Sequence, residues 1–334
     1  MDNEKLLTIS VAAYNVENTL GETLESLITD PAVMAKLEII IVNDGSSDGT
    51  AEAAKRYADK YPGTFQLVNK ENGGHGSTLN TSISLAHGKY WKMLDGDDWV
   101  ETENLPSFIR FLEETDADLI LTPYEKVWVD RSELVNSHSL SNGKVLDVSS
   151  VQEDQLLRLF AHEMAIRTSL LQDNGISMTE HCFYVDTELV YYSLYHTKTV
   201  AALDLPIYRY RLGVTGQSAS IQGRLRHWED AQRVEKRLLE HYYGNNECTN
   251  CAPAVRKSLY DIIFSFGIYQ YQNFALMEDT AEARERASSF DSYLKQFPKF
   301  YRELGSSKLV KLERILRFHM LSCFRNTVST IVKT

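Results

Sequence analysis

Nowhere in the 334 residues does an apolar run approach the roughly 18 needed to cross a bilayer, so no transmembrane span is expected. The opening Met1-Asp2-Asn3-Glu4-Lys5 lacks the basic start and the longer apolar core of a secretory signal, and leads straight into a strand pattern. The cytoplasm is the expected compartment. Basic charge is scarce: 35 Lys and Arg stand against 46 Asp and Glu, a net charge of -11 that argues against a nucleic-acid partner. Cysteine is scarce too, with Cys182, Cys248, Cys251 and Cys323 alone. Cys248-Thr249-Asn250-Cys251 is half a zinc site with no second Cys or His pair at a fitting distance, and reduced thiols are the expectation. No internal repeat or low-complexity tract is found. What remains is 43% hydrophobic and 24% charged, ordinary globular composition for one large domain plus a smaller one.

One stretch organises the rest: Gly88-Lys89-Tyr90-Trp91-Lys92-Met93-Leu94-Asp95-Gly96-Asp97-Asp98-Trp99-Val100. Its apolar run, residues 90–94, predicts a short buried strand, and Gly96 permits a sharp turn where the strand stops. Asp95 and Asp97 then stand close together, and like charges that close need an offset. A hard divalent cation, Mg²⁺ or Mn²⁺, suits carboxylate oxygens and takes its other ligands from water and substrate phosphates. A solvated acidic turn is the plain alternative, because short motifs match by chance.

The context bears on that choice. Residues 6–12 read as a strand buried on both faces, ending at Tyr14-Asn15. Leu20, Leu24, Leu27 and Ile28 give a helical stripe. Residues 38–42 form a second buried strand, closed by Asn43-Asp44-Gly45-Ser46-Ser47-Asp48-Gly49-Thr50, where Asp48 suits a helix N-cap. Ala54, Tyr57, Ala58 and Tyr61 mark the next helix. Residues 65–68 form a third strand before Asn72-Gly73-Gly74-His75-Gly76, and Leu79, Ile83 and Ala86 mark a helix leading into residues 90–94. Leu105, Phe108, Ile109 and Leu112 predict a helix, and residues 119–121 a strand. Such alternation predicts an α/β fold, a parallel sheet with helices on both faces, whose ligands bind beyond the carboxyl ends of the strands. Tyr14-Asn15, Asp44, residues 73–76 and residues 95–97 all fall on that edge and together make a site.

Further on, residues 127–151 are polar, with Asn142-Gly143 as a turn signal, and Leu156, Leu157 and Phe160 return to helical spacing. Residues 175–186 are irregular and carry Glu180, His181 and Asp186 ahead of a helical run at 189–194. Residues 199–203 and 207–212 read as strands. From Arg224 the texture is helical without strands, with one strong stripe at Val255, Leu259, Ile262, Ile263 and Phe266 and a weaker one at Phe290, Tyr293, Leu294 and Phe297. The expected division is a catalytic domain at 1–223 and a helical domain at 224–334, whose apolar helices could pair subunits in a homo-oligomer.

With these loops in place, residues 5–220 resemble glycosyltransferase family 2. The family's pattern stands here as Ala13-Tyr14-Asn15, the loop from Val42 to Thr50, Asn72-Gly73-Gly74, and the run from Ala86 to Asp98. The resemblance implies a GT-A fold, Rossmann-like with a mostly parallel sheet, followed here by a helical region. It also implies inverting, metal-dependent transfer from a nucleotide sugar. Asp44 resembles the carboxylate that holds uracil, with Tyr14 stacking near it and Asn15 beside it, which makes a UDP-sugar the expected donor. Ala13, Asn72, Gly73 and Gly96 would line the same donor. Asp95 resembles the residue facing ribose and the first phosphate, Asp97 the direct metal ligand, and Asp98 a support of the loop. Both Asp95 and Asp97 are assigned to the Mn²⁺ or Mg²⁺ site. Where the family often has Ala-Arg-Asn, this chain has Thr78-Leu79-Asn80; His75 could replace the missing Arg, or could simply be solvated.

A sugar hydroxyl attacks only as its proton is taken, so a carboxylate must lie within reach. The family places Glu-Asp just before a helix, and Tyr184-Val185-Asp186-Thr187-Glu188 occupies that context with Val185 in place of Glu. Asp186 is therefore the expected base, a helix N-cap is its other reading, and Glu180 is the fallback. Arg209, Arg211, Gln217 and Ser218 fall where the family places groups that close over the diphosphate. The expected acceptor is a hydroxyl of a glycan, lipid-linked or glycoprotein molecule. A sugar-nucleotide pyrophosphorylase would need a Gly-rich basic loop after the first strand, and a dinucleotide oxidoreductase would need Gly-x-Gly-x-x-Gly; neither is present. A non-catalytic sugar-nucleotide-binding or scaffold protein of a polysaccharide-assembly complex is the alternative, against which the three retained carboxylates weigh.

The C-terminal stretch, residues 306–334, carries Lys308, Lys311, Arg314, Arg317, Arg325 and Lys333 against Glu313 alone. Leu309, Leu312, Leu316, Met320 and Cys323 recur at helical spacing. Two expectations follow: a basic amphipathic helix lying on the inner face of an anionic membrane, or a helix packing its apolar side on protein.

Overall fold

The computed structural model describes residues 5–156, 158–213, 220–278 and 280–319. Two compact units result, one of Met1–Gly213 with Cys251–Ser258, the other of Val214–Asn250 with Leu259–Thr334.

In the first unit the elements run β1 (Leu7–Ala13), α1 (Leu20–Glu25), α2 (Pro31–Met34), β2 (Leu37–Asp44), α3 (Thr50–Lys60), β3 (Phe65–Lys70), α4 (His75–Leu85), β4 (Tyr90–Asp95), β5 (Trp99–Val100), α5 (Leu105–Glu114), β6 (Leu119–Leu121), β7 (Tyr124–Val127), β8 (Ser132–Val135), β9 (Val145–Asp147), β10 (Met164–Arg167), α6 (Thr168–Asp173), α7 (Asp186–His196), β11 (Thr199–Ala202) and β12 (Tyr208–Arg211). The larger sheet has the order β3-β2-β1-β4-β10-β6-β11-β9. Strands β3, β2, β1 and β4 are parallel, as their continuous apolar runs require once both faces are covered. Leu7, Val11, Leu37, Ile39 and Ile41 are almost wholly buried, and each such side chain contributes about 1.5–3 kcal/mol of transfer free energy.

The chain lays β2 and β3 on one side of β1, then β4 on the other. The order therefore reverses between β1 and β4, the place where ligands bind in open α/β sheets. In register, Ala12 of β1 stands opposite Asp95 of β4, and Asp44 of β2 opposite Lys70 of β3.

Beyond β4 the structure departs from simple alternation. Strand β10 runs antiparallel to both β4 and β6, and β5, β12, β7 and β8 form a second sheet. The polar stretch 127–151 contains β8 and β9. Helical spacing at Leu156 and Phe160 does not yield a helix. Leu156 bridges to His138 instead, and the chain closes in a 3-10 turn, Ala161–Glu163; Leu157 lies outside the described residues. Tertiary bonds to the turn, described below, outweigh the local spacing.

The second unit contains α8 (Ile221–Arg226), α9 (Trp228–Gly244), most of α10 (Pro253–Leu276), α11 (Ala281–Leu294), α12 (Pro298–Leu304) and α13 (Lys308–Ile315). Asp291 of α11 accepts from the Tyr271 hydroxyl (2.6 Å), the Tyr301 hydroxyl (3.0 Å) and Arg314 Nε (2.6 Å). That network turns Arg314 inward, so α13 buries Val310 and Glu313 and leaves Leu312 and Ile315 exposed. The inward face thus differs from the expected apolar stripe, in which Leu312 faced the same way as Leu309 and Leu316. Met320, Cys323, Arg325 and Lys333 lie outside the described residues.

Candidate active site

Four loops meet beyond the carboxyl edge of the parallel strands. After Ala13 the chain turns through Tyr14, 52% exposed, and Asn15, whose φ of +52° is left-handed. Asn tolerates that region better than most residues. Asn15 Oδ1 accepts from the Ser47 N–H at 2.9 Å and its own N–H donates to Ser46 Oγ at 3.0 Å, tying the end of β1 to the loop after β2. Buried Asp44 accepts from the N–H groups of Gly73 (2.9 Å) and Gly74 (2.8 Å) and from Lys70 Nζ (2.9 Å), while Asn72 Nδ2 donates to its carbonyl oxygen (2.9 Å). Asp44 thereby fastens the 72–74 loop. Gly74 has a φ of +80° and a Cβ there would stand 3.2 Å from His181 Cα, so glycine alone fits without strain. The next helix is capped one residue later than expected: Gly49 is the N-cap of α3, and Asp48 accepts from the Thr50 N–H (3.1 Å) and hydroxyl (2.6 Å).

Strand β4 delivers the acidic turn. Gly96 is pressed against β1, where a Cβ would stand 2.8 Å from the Ala12 carbonyl oxygen. Asp95 Oδ1 lies 3.2 Å from His75 Nε2, a charge contact rather than a well-aligned hydrogen bond. Burial raises the pKa of Asp95, but His75, His162 and Tyr208 outweigh it and hold the carboxyl below its ordinary value. Burial disfavours the charged form of His75, while Asp95, Asp186 and Asp97 outweigh that and raise its pKa. His75 therefore lies in the shared field of three of the expected site carboxylates.

Asp97 and Asp98 part company. Half-buried Asp97 has no side-chain partner among the described residues, and burial and the charge of Asp95 push its pKa up to about 6. Asp98 is buried, with Oδ2 2.6 Å from the Tyr208 hydroxyl and Oδ1 accepting from the Arg211 N–H at 2.7 Å. The same hydroxyl lies 3.1 Å from Asp95 Oδ2 and accepts from the Asp95 N–H at 3.2 Å. One hydroxyl proton cannot serve two carboxylates, and burial with the charges of Asp95 and Asp97 raises Asp98 well above its ordinary value.

The two arginines are engaged. Arg209 is forked between Glu101 and Glu125, with Nη1 3.1 Å from Glu125 Oε2. Arg211 Nε donates to the Asp97 carbonyl oxygen (2.7 Å), Nη2 reaches Glu22 (2.7 Å), and the guanidinium sits 4.5 Å over the Trp99 ring. Gln217 and Ser218 lie outside the described residues.

Asp186 is the first residue of α7, with Val185 at the N-cap. Burial raises its pKa, His75 opposes that, and the charge of Asp95 adds to it, so its field joins that of the acidic turn. The loop before it carries left-handed His181 (φ +49°) and Tyr184 (φ +65°). It is pinned by the His181 N–H on the Gly73 carbonyl oxygen (2.6 Å) and by buried Glu188, which accepts from the Thr179 N–H (2.7 Å) and hydroxyl (2.8 Å). Glu180 Oε1 accepts from Asn80 Nδ2 at 3.3 Å.

Three neighbours escaped sequence reasoning: His162, Tyr208 and Lys92. His162 offers a ligand atom within 4.8 Å of those of Asp95 and Asp98, and its buried Nδ1 has no hydrogen-bond partner among the described residues. The donor chemistry, carboxylates with an imidazole, fits a hard or borderline divalent cation. Alternation in Tyr208-Arg209-Tyr210-Arg211 is a signal for two tyrosines on one face, and His162 packs on both, with centroids 4.7 Å from each. Nothing local marks His162 or Lys92.

The model of the family described as Glycosyl transferase family 2 matches residues 8–173. That stretch, just under half of the chain, belongs to this family. EpsJ of Bacillus subtilis, described as an uncharacterized glycosyltransferase, is 30% identical over 219 residues, 62% of this chain and 61% of EpsJ. The minor teichoic acid biosynthesis protein GgaB of Bacillus subtilis is 28% identical over 215 residues, 64% of this chain and 23% of GgaB. The chain thus matches less than two thirds of either relative. Residues 1–349 of Staphylococcus aureus TarS, solved with UDP, superpose with a TM-score of 0.68 at 19% identity, covering 98% of this chain and 91% of that one. The expected GT-A fold with a helical region after it is borne out by that likeness. The family match ends within α6, before Asp186 and β12.

Proposed function

We propose that the chain is an inverting glycosyltransferase. It moves a sugar from a UDP-sugar to a hydroxyl of a glycan, lipid-linked or protein-linked acceptor in a single displacement. The observation that carries this is the acidic turn that β4 delivers beyond the switch point of a GT-A sheet, with His75 Nε2 3.2 Å from Asp95 and the N-terminus of α7 bringing Asp186 into the same field. Donor class is supported by TarS of Staphylococcus aureus, named a poly(ribitol-phosphate) beta-N-acetylglucosaminyltransferase and solved with UDP-GlcNAc.

In this reading residues 1–223 perform the transfer and the remainder is accessory. Ala13, Tyr14, Asn15, Asp44, Asn72 and Gly73 cradle the uridine, and Asp95 and Gly96 face ribose and the first phosphate. His75 balances Asp95 and presents a cation toward the diphosphate. The Asp186 carboxylate takes the acceptor's hydroxyl proton, and its raised pKa makes it a better acceptor than an exposed Asp. The bond from the anomeric carbon to the diphosphate oxygen breaks as the new bond forms on the opposite face. A divalent Mn²⁺ or Mg²⁺ held by Asp97 and Asp95, with Asp98 and His162 beside them, would neutralise charge on the departing nucleotide. Arg209 and Arg211 would exchange Glu101, Glu125 and Glu22 for phosphate oxygens when the donor binds.

Incubation with a panel of UDP-sugars, Mn²⁺ and candidate acceptors, with UDP release and product measured, tests the reading. Wild type should release UDP; Asp97→Ala should not, and EDTA should reproduce that loss in wild type. Binding of UDP-sugar without any release would decide for the scaffold alternative, and full turnover of Asp97→Ala in EDTA would remove the metal from the reading.

A further inference from the structure

Lys92 is fully buried in the middle of β4, three residues before Asp95. Its Nζ donates to the carbonyl oxygens of His162 (2.6 Å) and Met164 (3.2 Å) and lies 5.7 Å from the centre of the Tyr208 ring. An ammonium in that position carries a desolvation cost that an apolar side chain of similar length would avoid. Stability alone therefore does not account for a lysine.

What it grips is the 3-10 turn Ala161–Glu163, and the turn is held from other directions too. Wholly buried Glu163 accepts from the Ser137 N–H (2.8 Å) and the Phe160 N–H (3.0 Å), and its carbonyl oxygen accepts from the Thr122 N–H (2.9 Å). The side chain so presented is His162. Its ring lies against Tyr124 (5.1 Å), Tyr208 (4.7 Å) and Tyr210 (4.7 Å) and faces Asp95 and Asp98.

We propose that Lys92 and Glu163 form a buried brace that fixes His162, and through it Tyr208, against the carboxylates of the transfer site. Lys92 is on this view a positioning residue: it touches no substrate and acts through His162. Its two carbonyl bonds set the height of the turn, and Glu163 closes the turn through the Ser137 and Phe160 N–H groups. The inference rests on the proposed transferase reading for its kinetic consequence but not for its geometry.

The test pairs kinetics with a spectroscopic readout. Lys92→Met and Glu163→Gln are prepared alone and in a His162→Ala background, together with Lys92→Gln, which keeps a donor. If the brace acts through His162, Lys92→Met should lower kcat about tenfold or more with KM for the donor within about twofold, yet add less than about twofold once His162 is gone. Lys92→Gln should recover part of the loss. In ¹⁵N-histidine-labelled protein, Lys92→Met should move the ring signals of His162, assigned by their loss in His162→Ala, and leave the distant histidines in place. Wild-type-like kcat in Lys92→Met, multiplicative effects of the two substitutions, or unmoved His162 signals would overturn the proposal. So would failure of both Lys92 variants to fold, because the lysine would then serve stability. Should wild type transfer no sugar, the transferase reading fails while the ring signals still decide the brace.

Discussion

At Asp186 two roles that are often separate coincide on one residue. It opens α7, where a carboxylate is favoured by the helix N-terminus, and it lies in the field of Asp95 and His75. Asp186→Asn keeps size and removes the proton acceptor. We expect kcat to fall by about 10²-fold or more with UDP affinity nearly intact, measured by UDP release and by calorimetric titration. Unchanged turnover would transfer the role to Glu180, and lost UDP affinity would mark Asp186 as structural. The residue scale also separates the three aspartates of the turn. Identical in sequence character, they differ in surroundings: Asp95 is balanced by His75, Asp97 has no side-chain partner among the described residues, and Asp98 is sealed beneath Tyr208 and the Arg211 N–H.

Among elements, helix α9 carries a group that works against the fold at neutral pH. Glu235 is fully buried, neither oxygen has a hydrogen-bond partner among the described residues, and Oε1 stands 3.1 Å from where a Cβ on Gly267 would lie. Burial raises its pKa well above the ordinary 4.5. The folded state therefore keeps a proton that the unfolded chain releases. Stability from this group is full below about pH 4.5 and declines as pH rises beyond it, because the native state then binds more protons than the unfolded state. Glu235→Gln should remove that part of the slope. Thermal melts at pH 5 and pH 8 should show Tm of the variant gaining about 2 °C or more on wild type at the higher pH. An equal difference at both pH values would mean that Glu235 is paired in solution. Strand β12 shows the reverse dependence of an element on its surroundings: four residues place Tyr208, Arg209, Tyr210 and Arg211, each fixed by a partner distant in sequence.

For the whole molecule, the chain's negative balance contrasts with its basic end. Lys308, Lys311, Leu312 and Ile315 are all exposed on α13, mixing cations with apolar side chains on one side. We expect the full chain to co-sediment with anionic vesicles, less with neutral ones, and less as salt rises, each basic residue near the surface being worth about 1 kcal/mol. Removing residues 306–334 should abolish this while leaving UDP release intact. Absence of binding at low salt, with a changed oligomer on truncation, would favour packing between subunits.

Periodicity by itself determined the parallel half of the sheet, β1 to β4, and the loops at its carboxyl edge, because a strand buried on both faces must be continuously apolar and its polar ends must lie outside. Motif resemblance added the family and the roles expected of Asp44, Asp95, Asp97 and Asp186. Only the tertiary structure decided what stands against those carboxylates. Lys92 reads as one polar residue in an apolar strand, His162 as a histidine in irregular chain, and Tyr208 as a strand tyrosine. Lys92 meets carbonyl oxygens 70 and 72 residues away, and Tyr208 a carboxylate 110 residues away. Local sequence carries period and turn chemistry; it does not carry which distant backbone carbonyl a buried ammonium will meet.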